Sequence, residues 1–186
     1  MSDSFDILAT TGGRLFREGL AGDAADAGPQ ILDTVYNEAT TGGINTAGML
    51  DFGVACKLGS GVNATGKLCV SPIETTDTTA VVAGITSRLP IVASADPRTM
   101  LVGFPSKHSL SIVRIGRRFA IPCEDVTEGE QVLAIAAQNG QLAGLKNGGA
   151  GVGRLVCTGA TWDRSNKAGE VGIIKISDRG TPVTTS

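Results

Sequence analysis

The chain has 186 residues, 26 of them glycine, with 18% charged and 4% aromatic residues and a formal net charge of −2. Glycine without a G-x-y period excludes collagen, and 41% apolar content with so small a net charge excludes a wholly disordered chain. No apolar run approaches the roughly 20 residues of a membrane helix, and a chain of this size can bury about 70% of its unfolded surface without a disulfide or metal staple.

Residues 1–29 show no sustained period. Gly12, Gly13, Gly19, Gly22, Gly28 and Pro29 interrupt them too often for a stable helix. The stretch from Gly22 to Ala27 could form a helical turn at most. The region reads as an extended N-terminal arm that follows a surface. Its opening, Met1 to Gly13, is acidic and lacks the basic-then-apolar leader of a secretory signal. Residues 1–51 carry eight acids and two bases, and residues 52–186 carry ten acids and fourteen bases. That asymmetry invites contact between the two parts, within or between subunits, although a solvated surface would also explain it.

From Gln30 onward the signal is β. Candidate strands run Ile31 to Tyr36, Phe52 to Leu58, Lys67 to Val70, Ala80 to Ile85 and Leu110 to Ile115. After Gly116-Arg117-Arg118 comes Phe119 to Ile121, then Gln131 to Ala137 and Gln141 to Ala143 around Asn139-Gly140, a strong hairpin signal. Gly153 to Thr158 and Val171 to Ile176 complete the set. The expectation is an all-β sandwich or barrel of about eight to nine short antiparallel strands. The body spans 30–178, with a division into about 30–95 and 106–178 left open, and 179–186 forms a polar, frayed tail.

Chemical motifs are sparse. Gly61 to Lys67 matches the first seven positions of a phosphate-binding P-loop, but Leu68 stands where Ser or Thr should ligate magnesium. A strand-like run ended by Pro72 follows it, not a helix, so a hairpin loop is expected. The cluster Gly148 to Gly153 fits no dinucleotide pattern and reads as a loop or bulge before a strand. His108 is the single histidine and reads as an exposed loop residue; no G-x-S-x-G elbow exists. Cys56, Cys69, Cys123 and Cys157 lack metal or redox spacing and read as small buried hydrophobes. Glu124, Asp125, Glu128 and Glu130 read as solvated turn acids. Asn63-Ala64-Thr65 is a glycosylation sequon, silent without a secretory signal. Lys107, Arg114, Arg117 and Arg118 fit a partner contact or an ordinary charged strand face. Too few rings lie nearby for a nucleic-acid platform. No catalytic, cofactor or metal site is expected.

A set of short segments in order carries a family resemblance. It begins with Glu18-Gly19-Leu20-Ala21-Gly22-Asp23-Ala24-Ala25-Asp26, continues with Val35-Tyr36-Asn37-Glu38 and Ile44, and then Phe52-Gly53-Val54-Ala55. Ala83-Gly84-Ile85-Thr86, Asp125 to Val132 and Gly169 to Ile176 follow. Over about residues 14–178 this resembles the capsid cement (decoration) proteins of tailed bacteriophages. Ala93 to Pro105 is longer than the pattern, Val156 to Asn166 is less typical, and Glu130 replaces an Asp.

The resemblance implies a non-enzymatic virion protein, made in the bacterial host cytoplasm. It would sit on the outer capsid surface and brace seams between major capsid protein subunits as a homotrimer, or as a dimer. It implies no cofactor, nucleic-acid, membrane or small-molecule partner. Ordering an arm costs about 1–2 kcal/mol per residue in backbone entropy, so the arm needs apolar anchors. Phe5, Ile7, Leu8, Leu15, Phe16 and Leu20 are the candidates, with Arg14 and Arg17 pairing with capsid acids. The alternatives are another virion part (capsid, head-completion or tail-tube protein) or a small β-barrel ligand-binding module.

Overall fold

The computed structural model describes residues 21–25, 28–39, 50–88, 103–104, 106–145 and 149–177. Its strands are β1 (Ile31–Asn37), β2 (Ala55–Val62), β3 (Leu68–Pro72), β4 (Val82–Ser87), β5 (Ser109–Ala120), β6 (Gln131–Ile135), β7 (Gln141–Gly144), β8 (Arg154–Trp162) and β9 (Gly172–Ile176). The one helical element among the described residues is a 3-10 turn, Ala136–Gln138. The all-β expectation holds, and the nine strands form one continuous sheet in the order β1-β3-β2-β4-β5-β9-β8-β6-β7.

That sheet curls into two rings that share β5. In the first, β1 also pairs with β5, from Ile31 opposite Ile115 to Tyr36 opposite Ser109, which closes β1-β3-β2-β4-β5 on itself. One pairing in this ring, β1 with β3, is parallel. The second runs β5-β9-β8-β6-β7 and is closed by a single bridge between Pro122, just beyond β5, and Leu142 of β7. There the Cys123 amide donates to the Leu142 carbonyl at 2.8 Å.

Strand alternation supplies two cores. Successive side chains point to opposite faces, so Cys56 and Ile112 join Val35, Val70, Ala83 and Leu110 in one cluster, with Leu50, Phe52 and Phe104. Their chain neighbours Ala55 and Val113 join Ile73 and Ile85 in a second cluster, which continues through Val132, Leu142, Leu155, Ile174 and Trp162. Burial on both faces fits the short apolar run Ala80 to Ile85 that leads into β4.

β5 departs from expectation. It is one strand of 12 residues, not two runs split at Gly116. Gly116 has φ +133, and the place of its missing Cβ lies 3.3 Å from Gln30 Cγ. Before that residue β5 pairs with β1 and β4; from it onward β5 pairs with β9. The glycine thus falls where the strand passes from one ring to the other. The Asn139-Gly140 reading holds, with both residues left-handed, at φ 54 and 80. A Cβ on Gly140 would fall 2.6 Å from the Ala55 carbonyl, so the hairpin tip packs directly on the start of β2.

Candidate functional site

Sheet pairing begins before Gln30. The stretch read as a helical turn at most lies, over 22–25, against β5 through one isolated antiparallel bridge, Ala24 to Arg118. The Gly22 amide donates to the Phe119 carbonyl at 2.8 Å, the Phe119 amide to the Asp23 carbonyl at 3.0 Å, and the Ala25 amide to the Arg117 carbonyl at 3.1 Å. Gly22 also reaches the other ring, where its carbonyl accepts from the Arg88 amide at 2.9 Å.

The surface that receives Gly22 is built by the segment Asp51 to Val54. Thr86, buried at the end of β4, donates its hydroxyl to the Asp51 carbonyl at 2.6 Å and accepts from the Val54 amide at 3.2 Å. The Gly53 amide donates to the Thr86 carbonyl. Phe52 packs edge-on against Phe104, with centroids 4.9 Å apart, and the Arg88 guanidinium lies 5.6 Å from the Phe52 ring centre. Beside this seat is an open concavity of about 600 Å³, lined by Ala21, Phe52, Val54, Ile121, Pro122 and Gln138 among others. Ile121 is 45% exposed there. The proposed contact residues Phe5, Ile7, Leu8, Arg14, Leu15, Phe16, Arg17 and Leu20 lie outside the described residues.

The motif readings resolve mostly as structure. Gly61 and Val62 end β2, and Asn63 to Lys67 form the β2–β3 hairpin loop. The Asn63 Oδ1 accepts from the Thr65 amide, the Thr65 hydroxyl and the Lys67 amide, so the sequon side chain folds the turn. Gly149 and Gly153 take positive φ just ahead of β8. His108 is exposed immediately before β5, its Nδ1 2.9 Å from the Ser106 carbonyl. Cys56, Cys69 and Cys157 are buried thiols and Cys123 is half-buried. Burial raises the Cys69 and Cys123 pKa values, with Glu38 and Glu124 adding to it. Among the described residues no group of three or more His, Cys, Asp or Glu could hold a metal ion.

Two readings need correction. Arg118 is not on a charged face: it is 1% exposed, donating from Nε to Ser87 Oγ at 3.3 Å and from Nη1 to the Arg117 carbonyl at 2.9 Å. Arg117 instead pairs with Asp163 at 3.0 Å. Glu130 is not a solvated turn acid: it is 4% exposed and accepts from the Thr127 amide at 2.7 Å. Gly144 makes the room, since a Cβ there would collide with the Glu130 carboxylate. The neighbouring acids are also tied into the fold. Glu124 accepts both Arg154 Nη groups at 2.8 Å, and that hydrogen bonding holds its pKa below the ordinary carboxylate range. Asp125 accepts from Lys167 Nζ at 2.6 Å and the Ala168 amide at 3.0 Å, and is lowered in the same way.

Fold and site together define a class: a small all-β double ring with the segment 21–25 bridged onto its shared strand. The chain belongs to the structural cement protein family (E217 gp24/Pam3 gp6), which it matches over residues 8–177. It is therefore a structural protein of the phage virion, associated with the capsid. Among solved structures it is similar to a chain of the capsid of Myoviridae phage XM1, at 18% identity and a TM-score of 0.55. That likeness covers 84% of this chain and 89% of the other and is a likeness of fold. No curated protein matches the sequence.

Proposed function

We propose that this chain binds the outer surface of an assembled phage head and stabilises the seams between major capsid protein subunits, catalysing no reaction. The observation that carries the reading is the family match over 8–177, which takes in most of the arm as well as the body. The physical build supports it. Two rings that share β5, each with a buried apolar cluster, make a stiff post, and the bridge at 22–25 joins the arm to that post.

Residues 1–20 are the reach of the arm. Phe5, Ile7, Leu8, Leu15, Phe16 and Leu20 supply its apolar anchors, each worth about 1.5–3 kcal/mol when fully buried. Arg14 and Arg17 pair with acids of the capsid. The free protein is a small homo-oligomer, a trimer in the first instance, and many copies reinforce one shell.

The test is a chain lacking residues 1–20, added to undecorated heads. The expected result is a folded body that fails to decorate them. Full occupancy by the shortened chain would overturn the arm assignment. The rival reading, a shell or tube former, predicts that the intact protein polymerises alone, whereas a cement protein stops at a small oligomer.

A further inference from the structure

Residues Ala21–Ala25 are held to the body in an unusual way. Both rings close without them, through the β1–β5 pairing and the Pro122–Leu142 bridge. Their side chains are small apart from Asp23, and their attachment runs largely through backbone hydrogen bonds to Phe119, Arg117 and Arg88, with the Ser87 hydroxyl also donating to the Gly22 carbonyl at 3.4 Å.

Their position is set by two glycines that face each other. Gly22 has φ +85, and a Cβ on it would lie 2.9 Å from the Arg88 amide and 3.0 Å from the Gly53 amide. Gly53 has φ +70, and a Cβ on it would lie 2.8 Å from the Gly22 amide. The obstructing atoms are backbone on both sides, so neither substitution can be absorbed by a side chain moving away. A segment that buries little apolar area and belongs to neither ring's closing ladder opens locally, at a lower free energy than global unfolding.

We propose that residues Ala21–Ala25 form a releasable strap, locked by the reciprocal contact of Gly22 and Gly53, that fixes where the N-terminal arm leaves the body. The strap spans the seam between the rings, with Arg88 following β4 of the first ring and Phe119 in the part of β5 that belongs to the second. Its one bridge pairs Ala24 with Arg118, the Gly22 amide reaches the Phe119 carbonyl, and Ala21 comes to the rim of the concavity. When the lock is closed the arm starts from one point in one direction; when it opens the arm is tethered only through the segment leading to β1. The proposal concerns the chain alone and does not depend on the capsid reading.

Amide hydrogen exchange on the full-length protein tests it. Gly22, Ala25 and Phe119 report the strap; the Trp162 amide, bonded to the Glu130 carbonyl at 2.8 Å, reports the body. In the unmodified protein the three strap amides exchange together and faster than Trp162. Gly22→Ala and Gly53→Ala each speed the strap amides by about tenfold or more and leave Trp162 unchanged. Gly66→Ala is the control: Gly66 has φ +78 with open space around it, so it carries the same backbone strain without the clash. It leaves the strap amides unchanged. Acceleration of Trp162 in step with Phe119, in either variant, would make the segment an integral part of the fold and overturn the proposal. Unchanged protection at Phe119 in both variants, or equal acceleration by Gly66→Ala, would remove the lock.

Discussion

The two rings share β5 but close differently. The first closes by a full ladder, β1 along β5 from Ile31 to Tyr36, and its strands surround small and β-branched residues with Phe52 and Phe104 in the same cluster. The second closes at one bridge, Pro122 to Leu142, and is filled by Trp162, whose Nε1 donates to the Ala143 carbonyl at 3.1 Å. The residues straight after that bridge, Glu124 and Asp125, hold Arg154 and Lys167. The difference shows how a short ladder can be supplemented: where backbone pairing is sparse, a large buried ring and ion pairs at the seam add to it.

The sharpest way to break this comparison is Trp162→Ala. The side chain is 1% exposed, and its loss should destabilise the protein by about 3–5 kcal/mol. Denaturant unfolding followed by amide exchange should show β8 and β9 losing protection before β1 and β3; the opposite order would contradict the account of the second ring. Next comes Asn37→Ala in the first ring. Asn37 is fully buried, donates from Nδ2 to the Phe104 carbonyl at 3.4 Å and accepts from the Ala39 amide at 3.2 Å. Leaving those groups unpaired should cost about 1–3 kcal/mol, read from the denaturation midpoint.

A smaller effect is expected from Arg154→Ala, which leaves Glu124 without its guanidinium. The pair is partly exposed, so a loss of about 1–2 kcal/mol is expected. The double variant with Glu124→Ala should lose less than the sum of the two single changes; strict additivity would show that the pair is not coupled.

The smallest effect is with pH. The folded pKa values of Glu124 and Asp125 lie below their ordinary values, so their contribution is present at neutral pH and is lost as pH falls through the folded values. Asp77 of the first ring is also lowered: its burial works the other way, but the Lys57 ammonium and the Glu74 amide together outweigh it. Asp77 lies away from that ring's closing ladder, however. Mild acid, from about pH 5 downward, should therefore loosen the second seam first. Amide exchange at Cys123, whose N–H closes that ring, is the readout. Equal loosening of β1 would blur the distinction between the rings.

Much of this architecture was legible in the residues. β-branched and aromatic runs mark most strands, and Asn139-Gly140 marks its hairpin because only a left-handed pair closes that turn. The cement-family order of segments was visible too, and two of its pieces now have physical reasons. Gly53 of Phe52-Gly53-Val54-Ala55 must lack a side chain to admit Gly22. Asn37 and Glu38 brace the end of β1, Asn37 at Phe104 and Glu38 by accepting the amide and hydroxyl of Ser60.

What was not legible depends on partners distant in sequence. Arg118 looks like a surface base until Ser87, 31 residues away, is placed beside it. Glu130 looks like a turn acid until Gly144 leaves space for its carboxylate. Gly116 looks like a strand break until β1 and β9 take the two halves of β5. Local propensity cannot show such long-range pairings.

The measurement that most directly tests the central reading is a cryo-EM map of the phage head at side-chain resolution. The account predicts the double-ring body on the outside of the shell, with residues 1–20 lying across a seam between major capsid protein subunits. A body on the inner face or in the tail, or a seam that the arm does not touch, would contradict it.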